Sequence, residues 1–209
     1  MDPSKIAIWN VRGLNSVARQ DSMRSLVEST KADIVCLQET KMEHLSQRIV
    51  LSVLGSTFSH YISVPSVGAS PILVAWTHDL GPARSTRVDT YSASVQFQPA
   101  DRNPWWLTCV YGPQGNEEKI QFLQELRAIR SACSGPWAVL GDFNLICKDE
   151  DKNNANLNRT MMGRFRRTLD DLALKELPLT GRKYTWTGGG THPTLSKLDR
   201  VFLLYGLGK

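Results

Sequence analysis

The sequence predicts a layered α/β fold in which two sheets pack face to face. Three observations carry this expectation. The run "KIAIWNV" (5–11) is apolar on both faces, as a central strand covered on both sides is. Strand-like and helix-like segments alternate along both the first and the last part of the chain. Between about 58 and 111 several short strand-like runs follow one another, broken by Pro, Gly and Asp. These read as antiparallel meander and not as further βα units.

The elements follow in order. After the first strand, Asn15 or Ser16 can cap a helix running to about Lys31. "ADIVCLQET" (32–40) is a strand ending in polar residues. In the next helix Leu45, Ile49 and Val53 recur every four residues, and Gly55 is its stop. The meander holds "HYISVP", "PILVAWT", "TYSASVQFQ" and "WWLTCVYGP". Asn116 is placed to cap the following helix, with Glu117 and Glu118 where the helix dipole favours acids and Phe122, Leu126, Ile129 and Cys133 as its buried stripe. "PWAVLGDFN" (136–144) is a strand, and "KDED" (148–151) reads as a solvated loop. A helix from about Thr160 to Leu174 turns Met162, Phe165, Leu169 and Leu172 inward, and "KYTWT" and "KLDRVFLL" flank a Gly-rich connection. No repeat or linker divides residues 1–209, so one domain is expected.

The hydrophobic fraction of 41% and charged fraction of 22% are those of a soluble globular protein. The net charge of +5 suits an anionic partner such as nucleic acid. Cys36, Cys109, Cys133 and Cys147 form no C-x-x-C pair and have no His at ligand spacing, which disfavours zinc. They read as core residues of an intracellular protein. The sequence starts directly in a strand, which points away from a signal peptide, and no apolar run approaches the ~20 residues of a membrane span.

Several strands end alike. Asn10, Glu39, Tyr111, and Asp142 with Asn144 each stand at the polar end of an apolar run, and such ends gather at one rim of a sheet, where ligands of layered α/β proteins bind. Each has a plain alternative: a loop-starting Asn10, a helix-start Glu39, an Asx-turn at Asp142–Asn144, a core Tyr111. The recurrence carries the weight. Carboxylates and amide oxygens without Cys or clustered His favour a hard cation such as Mg2+, and a cation beside a carboxylate and a phenol suits phosphodiester hydrolysis.

"WNVRGL", "CLQET", "VYGPQ", "VLGDFN", "YTW" and "LDRVF" occur in this order over almost the whole chain. In these motifs the sequence resembles the endonuclease/exonuclease/phosphatase superfamily, deoxyribonuclease-like proteins with a four-layer α/β/β/α sandwich of two packed mixed sheets. It is most similar to the apurinic-endonuclease-like domain of plant LINE-type (non-LTR) retrotransposons. The resemblance implies a DNA-nicking hydrolase that uses Mg2+ or Mn2+. No obligate protein partner is evident, so a monomer is expected, and an intracellular location with the nucleus as one option. The resemblance also implies Glu39 as the principal metal ligand with Asn10 beside it. Asp142 would orient or activate water, Asn144 would hold the phosphate and its neighbours, and Tyr111 would hydrogen-bond the scissile phosphate. Asp199 would orient a histidine, and Trp186 matches an aromatic under the site, with plain core as its alternative.

Two departures stand out. Arg12 occupies a position where repair members carry Asp, and can place a cation near a phosphate. The closing Ser-Asp-His motif is missing: none of His44, His60, His78 and His192 follows Ser-Asp, and ten residues remain after Asp199. The expectation is a chain truncated before its closing strand and impaired as an enzyme, with "LLYGLGK" an abrupt end and His192 a solvated loop residue rather than a substitute. Arg164 and Arg167, three apart on one helix face, are candidate DNA-backbone contacts against the alternative of a solvated face. The other readings of the whole chain are a non-catalytic remnant that binds DNA or is inert, and a phosphatase acting on small phosphorylated molecules.

Overall fold

The structure, a computed structural model, describes residues 4–65, 71–100 and 103–205. Gly206–Lys209, the end of the "LLYGLGK" run, lie outside the described residues. The chain begins with β1 (Ile6–Asn10), α1 (Val17–Thr30) and β2 (Ile34–Gln38). Ser16 is the cap of α1: its side chain accepts from the Arg19 N–H, and Lys31 closes the helix in the left-handed conformation. Next come α2 (Gln47–Leu54), capped by Ser46 and stopped at Gly55, then β3 (His60–Val64) and β4 (Ile72–Trp76). Leu45 lies just before α2 and still packs into the core beneath it. These strands form a four-stranded sheet in the order β1-β2-β4-β3, with β1 parallel to β2 and the others antiparallel. Among the described residues β1 has β2 on one side and no strand on the other.

The second half supplies β5 (Ser85–Val88), β6 (Ser92–Phe97), β7 (Trp105–Tyr111), α3 (Asn116–Ala132), β8 (Trp137–Asp142) and α4 (Arg159–Asp171). It ends with the short strands β9 (Lys175–Glu176), β10 (Trp186–Thr187) and β11 (Leu195–Ser196), then β12 (Asp199–Leu204). The second sheet has six strands in the order β5-β6-β7-β8-β12-β9, with only β7 and β8 running parallel among its strand pairs. The expected meander is therefore divided. β3 and β4 extend the first sheet, and β5 to β7 open the second, because the turn at 78–81 carries the chain from one sheet to the other.

Side-chain alternation explains the stacking. In β2 and β4, Val35, Leu37, Leu73 and Ala75 face α1 and α2, while Ile34, Cys36, Ile72 and Val74 face the second sheet. In β7 and β8, Leu107, Cys109 and Leu140 return that contact, and Val110, Trp137 and Val139 face α3 and α4. The result is a four-layer α/β/β/α sandwich, as expected. Among the described residues no helix is long and apolar enough to cross a membrane.

Two local expectations are corrected. Gly115, not Asn116, is the extended residue before α3; Asn116 is the first helical residue, and its side-chain oxygen accepts from Asn158 instead. The 148–151 loop is not simply solvated. Asp151 is 2% exposed and pairs with Arg200, itself 3% exposed, while the Cys147 and Lys148 N–H groups donate to the same carboxylate. Arg200 also reaches Glu176 on β9 (2.7 Å). A buried charge requires such partners, and Asp151 has them because the loop folds back onto β12.

Candidate active site

The inter-sheet faces dictate where the polar strand ends meet. Asn10 follows Ile6 and Ile8 on β1, Tyr111 follows Cys109 on β7, and Asp142 follows Leu140 on β8, each in the same alternation. All three are the last residues of their strands. β12 runs the other way, so its first residue, Asp199, arrives at the same rim directly opposite Asp142. Tyr111 lies opposite Asp142 on the other side.

Two hydrogen bonds cross between the sheets here. Asn10 Nδ2 donates to Asp142 Oδ2 (3.2 Å), and the Tyr111 hydroxyl donates to Glu39 Oε2 (3.3 Å). Glu39 stands one residue beyond β2, where a left-handed backbone (φ 56°) turns it out of the strand's alternation. Its other oxygen meets Lys41 Nζ at 3.1 Å. Arg12 (φ 50°) and Asn144 (φ 49°) share this uncommon conformation, so three residues at the rim sit in a region that non-glycine residues avoid.

The Asp142–Asn144 segment is an Asx-turn and part of the rim at once. Asp142 Oδ1 accepts from the Asn144 N–H (2.9 Å). Phe143 turns the opposite way and is fully buried against Phe122, Phe165 and Phe202, anchoring the turn in the helix-side core. Asn144 donates to the Gly112 carbonyl (2.6 Å) and accepts from Gln114 (2.9 Å). Gly141 has φ 132°, and a Cβ there would strike the Val110 carbonyl oxygen, so only glycine fits beside Asp142.

Asp142 is 5% exposed. Burial pushes its carboxyl up to about 6, and the charge of Asp199 adds to this; hydrogen bonds from Asn144 and Asn10 offset part of it. Asp199 is also raised, mainly by burial, against hydrogen bonding from Thr185. The Thr185 hydroxyl accepts from the Leu198 and Asp199 N–H groups (both 3.0 Å) and so fixes the start of β12. Burial, then the Glu39 and Asp142 charges, push the Tyr111 phenol up to about 12.

A cavity of about 1140 Å3 opens at this rim. Asn10, Arg12, Asp142, Arg182, Trp186 and Asp199 line it. Trp186 is 36% exposed on the β10-β11 hairpin, which answers the core alternative: its ring is a cavity wall. Arg164 and Arg167 are exposed on α4 and do not line the cavity. His192 is exposed and contacts Thr191, and no histidine lines the cavity among the described residues. The sequence reading missed Lys41, Arg182 and Thr185. Lys41 was within reach, two residues from Glu39. The other two lie in a segment whose fold-back over the rim has no local signature.

This rim belongs to a recognisable family. Over residues 7–203 the chain matches the Endonuclease/Exonuclease/phosphatase family, and it is a member of that family of phosphoester hydrolases. Solved structures share its fold. A 3′ phosphatase from Neisseria, NExo, bound to a product DNA hairpin, is 16% identical with TM-score 0.76, covering 96% of this chain and 86% of that one. The AP endonuclease LMAP from Leishmania major is 16% identical with TM-score 0.73, covering 97% and 80%. The endonuclease domain of TRAS1, a telomere-specific non-LTR retrotransposon, is 16% identical with TM-score 0.70, covering 96% and 84%. No curated protein matches the chain significantly.

Proposed function

We propose that residues 1–209 form one Mg2+-dependent endonuclease domain of a LINE-type retroelement that nicks DNA. The observation that carries this reading is the convergence of Asn10, Glu39, Tyr111, Asp142 and Asp199 at one end of the inter-sheet space. Family membership and the likeness to the retrotransposon domain support it.

The donor set fits a hard dication. It is all oxygen, and it gathers the carboxylates of Glu39, Asp142 and Asp199; burial first, then the Asp199 charge, raises the Asp142 carboxyl, which a cation would offset. Mg2+ keeps several waters and takes one or two carboxylates, so it does not need a cage of three acidic side chains, and none is present among the described residues. Glu39 would hold it, with Asn10 beside; the Lys41 ammonium already marks Glu39 as a cation's neighbour. Bound Mg2+ supplies charge stabilisation on a phosphoryl oxygen.

The chain's own groups do the rest. Asp142, with each oxygen held by one N–H donor, orients a water and accepts its proton. Tyr111 stays protonated at any physiological pH and offers a neutral donor to a phosphate oxygen. Asn144 fixes the Asp142 turn against Gly112.

A supercoiled-plasmid nicking assay with Mg2+ tests the reading. Glu39→Ala and Asp142→Ala each lower nicking at least tenfold. Equal background in all three proteins would leave a non-catalytic remnant, and phosphate release from small substrates without nicking would favour a phosphatase.

A further inference from the structure

The cationic side chains around the cavity can be sorted by what already holds them. Arg19, Lys197 and Arg200 line it together with Arg12 and Arg182. Arg19 donates to the carbonyls of Arg12 (2.8 Å) and Gly13 (3.4 Å). Lys197 pairs with Glu176 (2.7 Å), and Arg200 with Asp151 and Glu176. Among the described residues the Arg12 and Arg182 guanidinium groups have neither an ion pair nor a hydrogen bond.

These two arginines come from distant parts of the chain and face the same place. Both line the cavity that Asp142 and Asp199 also line, and the positive charge of both acts on Asp199. The Arg12 loop is built to hold its position. Its N–H donates to Asn10 Oδ1 (3.2 Å), its carbonyl is gripped by Arg19, and its backbone is left-handed. The electrostatic problem explains the arrangement. A phosphodiester entering a site with three carboxylates is repelled, and planar guanidinium forks match phosphate oxygens.

We infer that Arg12 and Arg182 form a two-sided clamp on one backbone phosphate of the substrate, supplying positive charge beside the Asp142–Asp199 pair. The clamp rests on the phosphodiester reading of the site and adds to it a substrate-contacting residue, Arg182, that lies in none of the six motifs. It places one phosphate of the substrate in the cavity beside Asp142 and Asp199.

The test is fluorescence anisotropy of a labelled DNA duplex in EDTA at several salt concentrations, using Asp142→Asn as the background. Arg12→Gln and Arg182→Gln each weaken binding about fivefold or more. The double variant weakens it by less than the product of the two, because both groups hold one phosphate. The double variant also flattens the plot of log affinity against log salt by about one unit, the release expected for one phosphate contact. Arg48→Gln, the same charge loss on exposed α2, leaves slope and affinity nearly unchanged. Full additivity, an unchanged slope, or no binding at low salt would each overturn the clamp. Far-ultraviolet circular dichroism matching the parent excludes misfolding. Binding that depends on both arginines, without Asp142-dependent nicking in the parent chain, sinks the nuclease reading and keeps the clamp. Asp142-dependent nicking with an unaltered slope does the reverse.

Discussion

Asp142 is held at a cost to the folded state. Its carboxyl is raised to about 6 from an ordinary value of 3.8. Below about pH 4 it is protonated in folded and unfolded chains alike, and stability is unaffected. Between about pH 4 and 6 the unfolded chain has lost this proton while the folded chain still holds it. Stability therefore falls as pH rises through this window, by about 2–3 kcal/mol in all, and is flat above it. Asp142→Asn should be more stable than the metal-free parent at pH 7 by about that amount, with no difference at pH 3.5. Urea unfolding at the two pH values checks this; an Asn variant no more stable at pH 7 refutes it. Its expected loss of nicking makes Asp142 a residue where function and stability oppose each other. The sequence already pointed to Asp142, Asn144, Asn10 and Tyr111, because a polar residue closing an apolar strand is costly and so informative. It could not point to Thr185 or Arg182. Nothing in a Gly-rich stretch says that it folds back to a strand start fourteen residues on.

At the scale of elements, β1, β7, β8 and β12 carry Asn10, Tyr111, Asp142 and Asp199 to the rim as strand-end residues, while Glu39 reaches it through the left-handed turn after β2. The Asp151–Arg200 pair fixes the loop after β8 to β12, the two strands that present Asp142 and Asp199. Removing Asp151 leaves the buried Arg200 with Glu176 as its remaining ion partner and strips the Cys147 and Lys148 N–H groups of their acceptor. Asp151→Ala should destabilise by about 3–5 kcal/mol, measured by urea unfolding, and a change under 1 kcal/mol would contradict the pairing. This pair was hidden because its members lie 49 residues apart in a run that looks like solvated charge. The Asx-turn was legible as one of two alternatives; the structure makes them one feature, since the hydrogen bond that forms the turn also aims the carboxylate. The split of the meander between two sheets was not legible, because β3 to β7 have the same local pattern whichever sheet they join.

The whole molecule is a sandwich whose halves are tied at the rim by Asn10–Asp142 and Tyr111–Glu39. Mg2+ that binds there and not to the unfolded chain stabilises the fold, by about 2.7 kcal/mol at a hundredfold excess over Kd. Calorimetry should show the melting temperature rising with Mg2+ in the parent and much less in Glu39→Ala; equal rises would place the ion elsewhere. The outer side of β1, which carries no strand among the described residues, has a different consequence. It lies beside Trp9, which is 43% exposed, and it shares Ile8, Trp9 and Asn10 with the cavity wall. A free strand edge is a template on which a further strand can be added. Any strand added there would border the cavity that Asn10 serves, so pairing at this edge and access to the site are linked through one strand.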